Sequence, residues 1–385
     1  MKKLLIITNL YPHQYNSAAG IFVYYQAMEL AKHYDVHVAA TCDKYPYDIQ
    51  CVTEDTINVT RIFYPYWQRY FLSSLLTYRF FAIPQLKSII INWQPDLIHV
   101  HNYRHVPELV WLKPLLNKFN IPTFLTLHNI RTHPDRLPGN PLRWFYKQGL
   151  PIAFNNWTHI FTVNSRLVRW VEPFLPSDRI TVIGNGILPF TPKSSNIEET
   201  SNARQKSDCF KIISVGNLVT EKGFATLVDA VHLLIKEGFK LQLVIVGEGD
   251  QRNQLIQQIS RYKLNDCVTL TGALPNQQVR DMYQNFDAFV LPSYSETFGI
   301  VYIEAMYAGI PVIGVMGEGI AEFAMQGVHA LFAKPKDSID LAKQLKFLIQ
   351  NPEQVKAIAE SGCKLVNQNF MISKIIERIA EVYER

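Results

Sequence analysis

At 385 residues the chain is too long for one typical core and suits two domains of ordinary size. With 48% hydrophobic and 18% charged residues it is neither disordered nor fibrous, and five scattered cysteines argue against a disulfide framework and for a reducing cytoplasm. The net charge of +5 suits anionic partners, whether phosphate, nucleic acid or a lipid surface, without choosing among them.

The chain opens Met1-Lys2-Lys3 and runs into the apolar Leu4, Leu5, Ile6 and Ile7. That run stops at Thr8, short of the roughly seven to fifteen apolar residues of a secretory signal, so it reads as a buried first strand. No stretch approaches the roughly 18 apolar residues of a membrane-spanning helix, so an integral membrane protein is not expected.

Further strand candidates follow at 36–40, 97–101, 123–127, 160–163 and 180–183, after the first at 3–8. Between them, residues 21–32, 106–118 and 165–174 carry helical periodicity. Such alternation argues for a parallel sheet with helices on both faces. From Thr56 to Pro95 there is no Asp or Glu, while Arg61, Arg69, Arg79 and Lys87 lie among the aromatic Phe63, Tyr64, Tyr66, Trp67, Tyr70, Phe71, Tyr78, Phe80 and Phe81. Arg136, Arg143, Trp144 and Lys147 extend the pattern. It fits an anionic bilayer surface with rings at headgroup level, or equally a buried helix pair with ordinary arginines. No nucleic-acid-binding motif accompanies the charge, and none is expected as a partner.

Residues 191–208 are polar and read as a linker or exposed loop. The alternation then restarts, with strand candidates at 211–215, 241–246, 268–271, 288–291, 312–314 and 331–333. Helical patterns lie at 226–237, 251–262, 276–284 and 299–308, and residues 372–385 form a last amphipathic helix. The fold class is therefore α/β, with two Rossmann-like units in series. In open α/β sheets ligands bind beyond the carboxyl ends of the strands, and the motifs fall there.

The richest motif is LPSYSETFGIVYIEAMYAGIP, residues 291–311. A strand ends at Pro292, a loop carries Glu296 and Thr297, and Gly299 opens a helix holding Glu304. The free amides of Phe298, Gly299, Ile300 and Val301 suit a phosphate, and the glycine lets it come close. Glu304 is placed to accept from the vicinal diol of a ribose, and Glu296 from sugar hydroxyls. Either glutamate alone is as well explained as a solvated charge near a helix start.

This string resembles the E-x7-E signature of the retaining family 4 glycosyltransferases, whose fold is GT-B. Glu296 and Glu304 stand at the signature positions, and Glu304-Ala305-Met306 with Gly309-Ile310-Pro311-Val312 matches the continuation. Nearly the whole chain takes part in the resemblance, the second half more strongly. Within the family it looks most like bacterial enzymes of cell-surface polysaccharide or teichuronic-type synthesis. The resemblance implies a nucleotide-binding domain at 193–365, an acceptor domain at 1–192, and a C-terminal helix at 366–385 packed back on the first domain.

A second block, SVGNLVTEKG (214–223), places Lys222 behind a glycine turn, a plausible diphosphate partner and also a common helix-start lysine. The family has G-R-L-x-x-x-K-G here. Lys222 keeps the lysine, while Asn217 replaces the arginine and supplies hydrogen bonds without charge. In TFLTLHN (123–129), His128 follows a strand and would titrate near neutrality if unperturbed. A family histidine at this place lines the reaction centre. His99 and His101 read as supporting residues. A zinc site with His128 lacks a fourth ligand and a recognisable spacing.

In SAAGI (17–21), Gly20 carries the match to the family's glycine pair, at a turn that also reads as a plain strand–helix link. Asn185-Gly186 resembles a segment at the family's domain junction, with Gly184 and Leu188 in place of its proline and aspartate. Gly247-Glu248-Gly249 lacks the third glycine of a dinucleotide fingerprint, since position 252 is Arg. The resemblance implies a donor contact there instead.

The expected donor-binding set is thus Gly20, Asn217, Lys222, Gly247, Glu248, Glu296, Thr297, Phe298, Gly299, Ile300, Val301 and Glu304. His128, Glu296 and Lys222 are the expected catalytic residues. No cofactor and no metal are expected. The resemblance implies a nucleotide-diphosphate sugar as donor and a glycan or lipid-linked acceptor, expected in the cytoplasm or at the inner face of the membrane. A sugar-nucleotide epimerase, a phosphorylase and a non-catalytic sugar-nucleotide binder are the alternatives.

Overall fold

The computed structural model describes residues 1–15, 19–43, 45–65, 76–102, 106–129, 140–190 and 209–385. The expected linker at 191–208 and part of the basic aromatic stretch (Tyr66, Trp67, Arg69, Tyr70 and Phe71) lie outside them, as does Arg136. The chain forms two units, Met1–Gly186 with Ile372–Arg385, and Ile187–Met371. The units part at Gly186 and Met371 rather than at 192 and 365.

In the first unit the elements run β1 (Lys3–Thr8), α1 (Ile21–Leu30), β2 (Asp35–Asp43), β3 (Asp48–Glu54), β4 (Ile57–Tyr64), α2 (Ile83–Trp93), β5 (Leu97–Asn102), α3 (Val106–Leu116), β6 (Thr123–Leu127), α4 (Asn140–Phe154), β7 (His159–Thr162), α5 (Ser165–Val171) and β8 (Ile180–Val182). They build one sheet in the order β3-β4-β2-β1-β5-β6-β7-β8, parallel except for the β3–β4 pair. Residues Leu4 to Ile7 of β1 are at most 2% exposed, as expected for a central strand covered on both faces. The order reverses between β1 and β5, which places a switch point at their carboxyl ends.

The β3–β4 hairpin was not expected. Its tight link, Asp55-Thr56, has φ of 45° and 75°, the left-handed geometry that hairpin turns require and that glycine or asparagine usually signals. The hairpin takes up the start of the basic aromatic stretch. Phe63, Tyr64 and Tyr78 are buried, and so is Arg61, which donates to the Pro12 carbonyl at 2.7 Å and to Glu54 at 2.8 Å. Arg79 lies 4.2 Å over the Trp111 ring. Phe80, Trp144, Lys87 and Lys147 remain exposed.

The second unit continues β9 (Phe210–Val215), α6 (Phe224–Lys236), β10 (Leu241–Val246), α7 (Arg252–Arg261), β11 (Val268–Gly272), α8 (Asn276–Met282), β12 (Ala288–Val290), α9 (Ile300–Tyr307), β13 (Val312–Val315), β14 (Leu331–Ala333), α10 (Ser338–Gln350) and α11 (Pro352–Asn369). All strands are parallel, in the order β11-β10-β9-β12-β13-β14, with the reversal between β9 and β12. The unit's entry and exit pair side by side: Ile187 bridges Met371, and its amide donates to the Phe370 carbonyl at 2.9 Å.

The last helix, α12 (Ile372–Tyr383), belongs to the first unit. Its apolar stripe of Ile372, Ile375, Ile376, Ile379, Val382 and Tyr383 is buried, the spacing of one helix face. The Tyr383 hydroxyl meets His99 Nδ1. Among the described residues no helix is long and apolar enough to cross a membrane.

Candidate functional site

The second unit gathers its motif residues at the β9/β12 switch point. Beyond β9 the chain turns at Gly216-Asn217, and a single 3-10 turn, Thr220–Lys222, delivers Lys222. Gly223 follows in the left-handed region (φ 71°), and a Cβ there would come within 2.3 Å of the Pro292 carbonyl oxygen. Only glycine lets the loop after β9 lie this close to the loop after β12. The Tyr294 amide and Ser293 Oγ both donate to the Glu221 carbonyl, at 2.9 and 3.2 Å. Across this seam the Lys222 ammonium and the Glu296 carboxylate form an ion pair of 2.5 Å, both side chains partly exposed.

Glu296 leads directly into the start of α9. Its amide donates to Glu318 Oε2 at 2.9 Å, and its carbonyl accepts from the Gly319 amide at 3.1 Å. Glu318, which follows β13, was not foreseen as a site residue. Gly299 caps α9 with φ 83°, and a Cβ there would meet Tyr302 at 2.4 Å. The Tyr302 hydroxyl donates to the Leu291 carbonyl at 2.7 Å, fixing α9 to the end of β12. Phe298 is buried against Phe323 and Phe370 at 4.9 and 5.5 Å, so it brings its backbone rather than its ring to the site. Thr297, Ile300 and Val301 are half-buried at the same helix start, where the first amides have no intrahelical acceptor.

Glu304 is buried one turn further along. Its Oε1 receives Arg280 Nε at 3.0 Å and lies 2.9 Å from Nη2, with both side chains at most 5% exposed. Burial pushes the Glu304 carboxyl up, and Arg280 and Asn276 oppose that rise. Arg280 comes from α8, 24 residues upstream, and also lies 5.2 Å over the Phe190 ring. Nothing in the local spelling of 276–282 marks it.

Gly247 and Glu248 stand beyond β10, next to the loop after β9. A Cβ at Gly247 would fall 1.9 Å from the Gly216 carbonyl oxygen, and one at Gly249 would fall 2.5 Å from that of Leu218. The Leu218 amide donates to the Glu248 carbonyl at 2.9 Å. These glycines let the two loops touch. The Glu248 side chain is exposed and pairs with Arg252 at 3.1 Å. Asn217 is exposed on the same loop system.

Gly20 and His128 belong to the first unit. Gly20 caps α1 with φ 59°, and a Cβ would fall 2.2 Å from the Leu10 carbonyl oxygen, just beyond β1. His101 and His128, at the ends of β5 and β6, are buried with Nδ1 and Nε2 3.0 Å apart. Phe22 tilts over His128 at 4.4 Å, and Asn185 lies beside it. Burial holds His128 and His99 well below the usual imidazole range and His101 at about 3. Burial thus favours the neutral imidazole of His128, where an unperturbed one would titrate near neutrality.

Two family models match the chain. "Glycosyltransferase Family 4" matches residues 19–188 and "Glycosyl transferases group 1" matches residues 196–365, together nearly the whole sequence. The glycogen synthase of Mycobacterium tuberculosis is 24% identical over 305 residues, 76% of this chain and 69% of that protein. In fold, the chain is similar to the sucrose-phosphate synthase of Thermosynechococcus elongatus, with a TM-score of 0.79 and 20% identity over 100% of this chain and 98% of that one. It is also similar to the Anabaena HepE protein in complex with UDP-glucose, with a TM-score of 0.74 and 20% identity over the full length of both. These structures share the GT-B type of fold, two Rossmann-like parallel-sheet domains.

Proposed function

We propose, from the premise that the chain belongs to the glycosyltransferase family these two models describe, that it moves a sugar with retention from a nucleotide-diphosphate donor to a glycan or lipid-linked acceptor. The observation that carries this reading is the Lys222–Glu296 pair, brought from two loops to the switch point beside the start of α9. A ligand that brings its own phosphate and hydroxyls can take over both partners of that pair.

Breaking the bond from the anomeric carbon to the diphosphate leaves negative charge on the leaving oxygen. Lys222 and the amides of Phe298, Gly299, Ile300 and Val301 are the groups that stabilise it, with Asn217 adding a neutral donor. In the first unit, Gly20 offers a close backbone approach of its own to an anionic group. This chemistry requires no divalent cation. Glu296 holds sugar hydroxyls and Glu304 the ribose, so both orient the donor and neither acts as general acid. In the first unit, His128, kept neutral, offers a hydrogen bond without a competing charge. Gly247 and Glu248 reach the donor through the loop they support. Retention follows if the acceptor attacks from the leaving-group face.

The UDP-glucose complex of HepE and the polymer product in the name of glycogen synthase support a uridine diphosphate sugar as donor and a growing glycan as acceptor. Cell-surface polysaccharide synthesis at the inner face of the membrane is the setting we assign, on the exposed Phe80, Lys87, Trp144 and Lys147.

The test is a melting screen of the full chain with UDP-, GDP-, ADP- and CDP-sugars, followed by a transfer assay with the stabilising donor. One donor should raise the melting point by mass action. Lys222→Ala should lower turnover by about a hundredfold or more, the usual loss for one charge-stabilising donor. Stabilisation by no nucleotide sugar, or full turnover by Lys222→Ala, would refute the assignment. Binding without transfer to any acceptor would support the non-catalytic alternative, and epimerised donor in the absence of acceptor would support the epimerase.

A further inference from the structure

The first unit carries a cavity of about 640 Å³ at the amino ends of β6 and β7, the opposite strand ends from His101 and His128. Its wall includes Lys113, Asn117, Asn120, Thr123, Asn156 and Thr158. Lys113 is the charged residue of the lining and is 1% exposed. It sits on α3, between the buried Leu112 and Leu116 of that apolar helix. Its ammonium donates to Thr123 Oγ1 at 3.0 Å and lies 4.3 Å over the Trp157 ring. No carboxylate among the described residues pairs with it.

An ammonium withdrawn from water without a counter-charge is costly, and natural folds normally pair it. It has three N–H donors and spends one on Thr123. The cavity wall carries amides and hydroxyls, groups that recognise an oxygen-rich ligand, alongside the apolar Leu116, Phe119, Ile121 and Pro122. The volume matches a small-molecule site. We propose that this cavity is a second ligand site, separate from the transferase chemistry, for a sugar phosphate whose anionic group docks on Lys113 and whose hydroxyls meet Asn117, Asn120 and Asn156.

Burial also brings the Lys113 ammonium down to about 8. A bound anion needs the protonated amine, so affinity should decline as pH rises through that value.

The experiment is calorimetric titration of the full chain with glucose 6-phosphate, inorganic phosphate and glucose. Saturable binding of glucose 6-phosphate is expected, at least tenfold tighter than either of the other two. Lys113→Met removes the charge, keeps the apolar stem, and should weaken binding at least tenfold. Asn117→Phe, at an exposed position, obstructs the cavity without touching the core and should do the same. Lys222→Ala should leave this binding unchanged. Affinity should be lower at pH 9 than at pH 7. Binding unaffected by Lys113→Met and Asn117→Phe, or abolished by Lys222→Ala, would overturn the proposal. Glucose or phosphate alone binding as tightly as glucose 6-phosphate would do so as well.

Discussion

Glu304 and Arg280 show how far a single residue can be understood from its neighbours in sequence. The spelling around Glu304 suggests a carboxylate turned to a ligand, and it offers no hint of a guanidinium 24 residues upstream. Only the folded structure reveals that the carboxylate is held by Arg280 and Asn276. A carboxylate fixed in this way keeps one orientation, which a diol-binding group requires. Removing one member of a buried pair strands the other charge, at a cost of about 3–5 kcal/mol. Arg280→Met should therefore lower the melting temperature sharply. Arg280→Met with Glu304→Leu should regain most of that stability while donor binding stays lost. Chemical denaturation of the three variants checks both outcomes, and an Arg280→Met protein as stable as the parent would show the pair to be inert.

At the scale of elements, most strands could be read because their apolar runs are short and bounded. The sites after β9 and β12 could be read because loop glycines and charged residues follow those runs. The β3–β4 hairpin could not, since its turn uses Asp55-Thr56 where glycine is the usual marker. The histidines were visible as residues at strand ends, but their burial was not. That burial has a consequence for pH. His99, His101 and His128 have folded-state values depressed below the unfolded value near 6.5. Well above pH 7 none of them binds a proton in either state. As pH falls below 6.5 the unfolded chain takes up protons that the folded chain refuses, so stability declines. By pH 5 the loss is about 2 kcal/mol for each imidazole that stays neutral. Urea unfolding midpoints should drop between pH 7 and pH 5, and the drop should be smaller in His101→Gln. A flat profile over that interval would mean the imidazoles are more accessible than the structure indicates.

For the whole molecule, Phe80, Lys87, Trp144 and Lys147 are exposed members of the basic aromatic stretch among the described residues. Flotation with vesicles of anionic lipid should carry the protein upward at low salt and release it as salt screens the lysines. Equal flotation with neutral vesicles, or none at low salt, would argue against that role.

The first unit is assembled from two stretches of chain, with the second unit spliced between them at Ile187 and Met371. On the ribosome, then, the first sheet emerges long before α12, and the whole of the second unit is translated in the interval. During that time the groove destined for Ile375, Ile379 and Tyr383 stands open, and His99 waits for its phenol. The nascent protein completes its later unit before its earlier one. A stalled or shortened transcript would yield a first unit with an uncovered apolar face, a substrate for chaperones and proteases.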